Sequence, residues 1–429
     1  MKIPNPFAKK PEGQRVTLAD AAAAVHREAA VVKEKHSLAT ELKNSAKYYP
    51  IVSVTGPRQS GKTTLIQNSF PNYKYLSLED PDNLEFAETD PKGFLQTYSA
   101  QVIFDEIQHV PKLFSYLQTM VDKNNKPGQF ILSGSQQFLL NAKISQTLAG
   151  RTAILKLLPL SMAELMARKS QTLWHSGKTT KTQPPLFSLY EALFKGMYPR
   201  VYASNIPAAK FYRDYIDTYV TRDVRTLLNV GDLRQFKTFL QLLAARCGQR
   251  VNLTSLGNDT GVDHTTVKRW LSVLEASYII FLIQPHFNNF NKKLIKSPKI
   301  YFFDTGLLCS LLRITNVEEL RRHAIIGGIF ESFVFAELYK YFSHNNNEVP
   351  LYFWQDKTGN EVDFLMEFAT KVLPIEVKSA QTITQSFFKN LNYWLELLGN
   401  KEQNGYLVYG GDEWQQRSNT TIVPWYGIS

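Results

Sequence analysis

One octapeptide constrains this 429-residue chain more than any other stretch. GPRQSGKT, Gly56 to Thr63, follows the β-branched run IVSVT and leads into a helix-forming segment. It fits G-x-x-x-x-G-K-[ST] with both required neighbours, a strand before it and a helix after it. Gly56 and Gly61 let the backbone curl until successive N–H groups point at one set of phosphate oxygens. The helix that begins near Lys62 adds the positive end of its dipole. Lys62 is placed to reach β- and γ-phosphates, and Thr63 to offer its hydroxyl to Mg²⁺. The pattern predicts a nucleotide site made by Gly56, Pro57, Arg58, Gln59, Ser60, Gly61, Lys62, Thr63 and Thr64, with ATP and Mg²⁺ as its ligands.

Such a loop needs an acidic partner at the end of another apolar strand. QVIFDEIQ supplies Asp105, which would hold Mg²⁺ through water, and Glu106, which would polarise the attacking water. The adjacent pair favours hydrolysis over transfer to an acceptor. A further strand ends in QFILSGSQQ, where Ser133 or Ser135 can sense the γ-phosphate or orient the water. Arg151, in LAGRT, can stabilise transition-state charge on a neighbouring subunit's nucleotide. A structural ion pair is the competing reading.

At this length several domains are expected. The strands IVSVT, YKYLSL, QVIFDE, QFILSGS and AILKLLPL alternate mostly with helical stretches, so a parallel α/β sheet covered on both faces is expected. The divisions read as a basic, helical extension (1–45), a P-loop core (46–161), a helical lid (162–231), a winged helix-turn-helix (232–318) and a C-terminal α/β unit (319–429). No run of about 18 uncharged apolar residues occurs, which argues against a membrane span. Two cysteines and no secretory apolar core fit a cytoplasmic setting. The formal charge of +11 favours an anionic partner, with nucleic acid first.

NLTSLGNDTGVDHTTVKRWLSVLEASYII has a helix-turn-helix layout. In its second helix Val267, Trp270, Leu271 and Leu274 follow the helical period and should face a core. His264, Thr265, Lys268 and Arg269 should face outward, and the following strands, with Lys292 and Lys293 between them, should form a basic wing that contacts DNA. Packing against protein is the alternative for such a module.

VTGPRQSGKTTL, FDEIQ, LSGSQ, LAGR, LPLS, GMYP and YFFDTGLL occur in the order found in a large bacterial and archaeal group of AAA-like P-loop ATPases. The chain resembles that group from about Ser45 to its end. The resemblance implies an AAA-type (ASCE) fold joined to a C-terminal region long described as of unknown function. Lys195-Gly196-Met197 stands where the group usually carries a doubled glycine. NEVDFLMEFATKVLPIEVKSA in turn resembles the PD-(D/E)xK nuclease core. That resemblance implies that Asp363 and Glu376, with Glu331 from an upstream helix, bind Mg²⁺, and that Lys378 stabilises the phosphorane or positions water. Val362 stands where the motif names Pro.

Three functions compete at this stage. The first is an ATP-hydrolysing machine acting on DNA, branched DNA included, as a homo-oligomeric ring such as a hexamer. The second is an ATP-gated, Mg²⁺-dependent DNA nuclease. The third is an ATP-binding regulatory switch.

Overall fold

A computed structural model describes residues 37–135, 144, 146–168, 182–204, 206–220, 233–286, 297–399 and 404–429. Residues 1–36 of the expected extension, and Lys292 and Lys293 of the expected wing, lie outside the described residues.

Five apolar runs build a parallel sheet: β1 (Ile51–Thr55), β2 (Lys74–Ser77), β3 (Val102–Asp105), β4 (Phe130–Gly134) and β5 (Thr152–Lys156). Their spatial order is β2-β3-β4-β1-β5. Val52, Val54, Ile103 and Ile131 pack against Leu38 and Leu42 of α1 (Leu38–Ser45) and Leu65 and Ile66 of α2 (Lys62–Ser69). Ile51, Phe104, Phe130 and Leu132 belong to a second cluster with α3 (Pro81–Thr89), α4 (Pro91–Thr97) and α5 (Leu113–Lys123). Cover on both sides explains why the strands read as nearly continuous apolar runs. Leu132 is fully buried, so Leu132→Ala would cost about 2–5 kcal/mol. Because all five strands run the same way, β1, β3 and β4 deliver their following loops to one edge, where such sheets bind ligands.

Helices follow: α6 (Met162–Leu165), α7 (Leu189–Lys195), α8 (Pro199–Ala203) and α9 (Ala208–Tyr215), the last running into a π-turn over Ile216–Val220. Ser161 and Ser188 start α6 and α7 with capping boxes to Glu164 and Glu191. Between α7 and α8, Gly196 has φ +64°, and a Cβ there would lie 2.4 Å from Asp304 Oδ1. The N–H of Met197 donates to Asp304 Oδ2 at 2.7 Å. The GMYP and FFDTG segments, more than a hundred residues apart, are therefore one turn and its clasp.

Next come α10 (Leu233–Ala245), α11 (Leu253–Thr260) and α12 (His264–Ala276), the antiparallel pair β6 (Ile280–Ile283) and β7 (Lys299–Phe302), then α13 (Thr305–Leu311) and α14 (Val317–Arg321). Gly261 turns the chain at φ +71°, and the Asp263 carboxylate caps α12 by accepting from the N–H groups of Thr265 and Thr266. Val267, Trp270, Leu271 and Leu274 are buried, while His264, Thr265, Lys268 and Arg269 are exposed, as the periodicity predicts. The strands expected to flank the wing are present as β6 and β7. β7 is buried throughout. Beyond β6, the Phe353 N–H donates to Gln284 O (3.1 Å) and the His286 N–H to Phe353 O (2.7 Å). The hairpin thus leans on the next sheet, because its apolar alternate residues need cover.

That sheet belongs to the C-terminal unit: α15 (Ile326–Ser343), β8 (Leu351–Gln355), β9 (Glu361–Phe368), β10 (Lys371–Lys378), α16 (Lys389–Leu398), β11 (Gly405–Tyr409), β12 (Gln415–Arg417) and β13 (Thr420–Pro424). Its order is β12-β13-β11-β10-β9-β8. Phe364, Ile375, Val377 and Val408 share a cluster with Phe330, Val334 and Leu338 of α15, whereas Trp354 and Leu365 pack with Trp394 of α16. Buried polar contacts join α15 to the segment after β5. Lys340 Nζ donates to Leu160 O (2.8 Å) and Glu337 Oε1 (3.0 Å), and the Met162 N–H donates to Glu337 Oε2 (2.8 Å). No helix among the described residues is long and apolar enough to cross a membrane.

Candidate nucleotide site and a second acidic centre

At the loop edge of the first sheet, the backbone already has the curled form that phosphate binding requires. Gly56 (φ +150°) and Gly61 (φ +95°) are both at positive φ, and Gln59 joins them at +62°. A Cβ at Gly56 would lie 2.0 Å from Leu157 O, so only glycine fits. Gly61 is the N-cap of α2, and the N–H of Leu65 donates back to its carbonyl at 2.9 Å. Lys62 Nζ donates to Gly56 O (3.0 Å) and Pro57 O (2.9 Å), bracing the loop from within. Ser60 Oγ is buried with no hydrogen-bond partner among the described residues. The Tyr215 hydroxyl, from the end of α9, donates to Arg58 O at 3.4 Å. Thr64 lies one residue further along the first turn of α2.

The sheet brings the acidic pair to this loop. Thr63 Oγ1 donates to Asp105 Oδ2 at 2.9 Å, so motifs 42 residues apart meet side chain to side chain. Asp105 is nearly buried and fully engaged. Its Oδ2 also accepts from the Tyr75 hydroxyl at 2.7 Å, and its Oδ1 accepts from Ser133 Oγ and from the Glu106 N–H at 3.2 Å. Glu106 sits in the left-handed region (φ +53°). Its Oε2 accepts from the Ser135 N–H (3.2 Å), Ser135 Oγ (3.1 Å) and Gln108 Nε2. Both serines therefore belong to the site, with a division the strand pattern alone left open: Ser133 holds Asp105, and Ser135 holds Glu106. The hydroxyl and carboxylate at 2.9 Å are the donor types an Mg²⁺ and its water take, so the residues fit that ion.

Arg151 is not brought to this site within the chain. It precedes β5, and its carbonyl accepts from the Ile51 N–H, which places it at the opposite end of the strands from the loop. Its guanidinium forks onto the Asp122 carboxylate, with Nη2 to Oδ2 at 3.0 Å.

A second acidic centre lies where β9 and β10 part. Their register ends at Ile375 opposite Phe364, after which β10 pairs with β11. There Asp363 Oδ2 accepts the Val377 N–H at 2.7 Å, replacing a ladder partner. Glu376 and Lys378, two apart on one strand, share a face. Lys378 Nζ donates to Glu376 Oε1 at 2.7 Å and lies 3.7 Å from Asp363 Oδ2. Asn390 Nδ2 of α16 also donates to Glu376 Oε1, at 3.2 Å, while Glu376 Oε2 is buried with no hydrogen-bond partner among the described residues. Glu331, on α15, accepts from the Tyr301 hydroxyl at 3.0 Å, and Lys299 pairs with Glu361 beside it. Burial, and next the charge of Asp363, pushes both the Glu331 and Glu376 carboxyls up to about 8. Burial works against the Lys378 charge, but Asp363 and Glu376 outweigh it and raise its pKa.

The three carboxylates expected to share a metal are neighbours by charge, yet no group of three or more His, Cys, Asp and Glu among the described residues forms a ready metal cage. The Asp363–Glu376 pair and the unpartnered Oε2 fit part of a cation site, and Glu331 is engaged by Tyr301 instead. Sequence reasoning missed Tyr75, Gln108 and Tyr215 at the first centre and Lys299, Tyr301 and Asn390 at the second. Gln108 and Tyr301 lie within FDEIQ and YFFDTGLL, whereas Tyr75, Tyr215, Lys299 and Asn390 come from stretches with no motif and reach their centres only through the packing of distant elements.

Residues 48–166 match an AAA domain, 186–318 a domain of unknown function (DUF8612), and 326–428 another (DUF4143). An uncharacterized protein of Mycobacterium tuberculosis is 30% identical over 355 residues, spanning 81% of this chain and 75% of that protein. An uncharacterized protein of Methanocaldococcus jannaschii is 23% identical over 428 residues, spanning 88% and 84%. Among solved structures, the Walker-type ATPase of Pyrococcus abyssi superposes with a TM-score of 0.40 at 13% identity, covering 66% of this chain and 96% of that one. By its match to the mycobacterial protein, the chain belongs to that protein's family, and in it an AAA domain stands ahead of two domains of unknown function.

Proposed function

We propose that the protein is an Mg²⁺-dependent ATP hydrolase that acts on DNA as a homo-oligomer. The observation that carries the ATPase reading is the 2.9 Å bond from Thr63 to Asp105, which joins the phosphate loop to the acidic strand end. On ATP binding, Lys62 exchanges the carbonyls of Gly56 and Pro57 for β- and γ-phosphate oxygens. Thr63 and Asp105 would hold an Mg²⁺, and the ion would supply positive charge to neutralise the phosphates. Glu106 leaves Ser135 and Gln108 to take a proton from the attacking water, and Ser133 keeps Asp105 in place. Action on DNA is supported by the net charge of +11 and by the exposed His264, Thr265, Lys268 and Arg269 at the start of α12.

Phosphate release from Mg·ATP, without DNA and with single-stranded, duplex and four-way DNA, tests this. Stimulation by one DNA is expected. Turnover indifferent to every DNA would overturn action on DNA and leave the ATP-bound switch. A second reading, ATP-gated DNA cleavage, is favoured by the unpartnered Glu376 Oε2 beside Asp363 and Lys378. It requires Mg²⁺-dependent cleavage that Glu376→Ala abolishes in the purified chain.

A further inference from the structure

We propose that Tyr75 is a positioning residue of the nucleotide site, which anchors Asp105 when Thr63 turns to the metal. The inference deepens the ATP-hydrolysis reading and rests on it.

Thr63 Oγ1 (2.9 Å) and the Tyr75 hydroxyl (2.7 Å) donate to the same oxygen, Asp105 Oδ2. Their tasks differ. Thr63 is the hydroxyl that the phosphate loop offers to Mg²⁺, so its present bond to Oδ2 is surrendered or redirected when the site fills. Tyr75 belongs to β2 and has no phosphate-loop role, so its bond can persist. Without it, Oδ2 would lose a donor at the moment when the carboxylate must be oriented most closely. Ser133 secures only the other oxygen, Oδ1.

Strand geometry explains why a tyrosine performs this task. β2 lies beside β3 with Ser77 opposite Asp105 and Tyr75 opposite Ile103. Tyr75 is two residues back on the side Ser77 shares, and must span roughly 6–7 Å along the strand. A phenol reaches that far, whereas a serine or threonine hydroxyl does not. β2 is an edge strand and Tyr75 is 36% exposed, so removing one oxygen there disturbs little packing.

The test compares the full chain with Tyr75→Phe, which keeps the ring. ATP turnover is titrated with Mg²⁺, nucleotide affinity is measured in EDTA with a fluorescent ATP analogue, and thermal unfolding is followed. The Mg²⁺ needed for half-maximal turnover should rise about tenfold, as for other residues that orient a metal-site ligand. Affinity in EDTA and the unfolding temperature should stay unchanged. Superimposable Mg²⁺ titrations would overturn the proposal. So would equal losses with and without Mg²⁺, which would mark a structural role. Should the wild-type chain not hydrolyse ATP, the hydrolysis reading fails separately, and Mg²⁺-dependent binding of the analogue decides for Tyr75 by the same shift or its absence.

Discussion

The two acidic centres solve the problem of buried carboxylates in different ways. At the nucleotide site, Asp105 and Glu106 are satisfied by neutral donors: hydroxyls of Thr63, Tyr75, Ser133 and Ser135, an amide side chain and backbone N–H groups. At the C-terminal centre, Glu361, Asp363 and Glu376 face lysines and one another, and one oxygen of Glu376 is left with no donor. Neutral donors can be exchanged for a cation or water without leaving a buried charge behind. Lysines cannot, since removing either partner leaves an uncompensated ion. The first centre is thus built to change partners, and the second to keep its lysines in place.

The broadest effect, on both binding and turnover, should come from Lys62→Ala. It removes the cation aimed at the phosphates, and turnover should fall by about 10²–10³ with nucleotide affinity falling alongside. Phosphate release and analogue binding measure the two, and wild-type affinity in the variant would break the assignment. Glu106→Gln should separate them, because its geometry stays and only the base is lost. A fall of about 10²–10⁴ in turnover is expected at near-normal affinity. Normal turnover would place the base elsewhere and erase the exchangeable character claimed for this centre.

How legible each centre was follows from the same contrast. GPRQSGKT and the acidic pair are contiguous stretches whose spacing carries their geometry, and all five strands lie where the apolar runs predict. Helix α12 begins and ends as its periodicity suggests, at His264 and Ala276. The division of labour between Ser133 and Ser135 depends on β4 lying between β1 and β3, which no local pattern encodes. The C-terminal hairpin was readable from alternation around Asp363 and Glu376, but Lys299 was not. That residue opens β7, and only the packing of β7 on α15 brings it to Glu361. A polar residue in a strand tells which face it shares, never which distant element covers that face.

The second centre should answer to pH. Glu331 and Glu376 are raised from 4.5 to about 8, so the fold favours their protonated forms. The stability they contribute is complete below about pH 4.5 and is lost as pH rises through about 8. Thermal unfolding should therefore fall between pH 5 and pH 9, and the fall should be shallower in Glu376→Gln, by about 2–4 °C for each kcal/mol involved. Mg²⁺ added at pH 8.5 should raise the unfolding temperature of the wild type more than that of the variant if the pair takes a cation. Parallel pH curves would show that Glu376 is not held in its protonated form.

The smallest effect should be that of Arg151→Ala. An arginine acting on its own chain's nucleotide would have to reach the strands' other end, and here its two nitrogens are engaged by Asp122. Both partners lie at the surface, where an ion pair is screened and readily replaced by water. Turnover per chain should stay within roughly twofold of wild type at low protein concentration, because this arginine supplies none of the charge stabilisation that makes a catalytic cation costly to remove. Measuring the same variant at rising protein concentration gives the decisive contrast. If wild-type turnover climbs with concentration and the variant's does not, Arg151 exchanges Asp122 for a neighbouring chain's phosphate. It would then share the exchangeable character of Thr63 rather than the fixed character of Lys299.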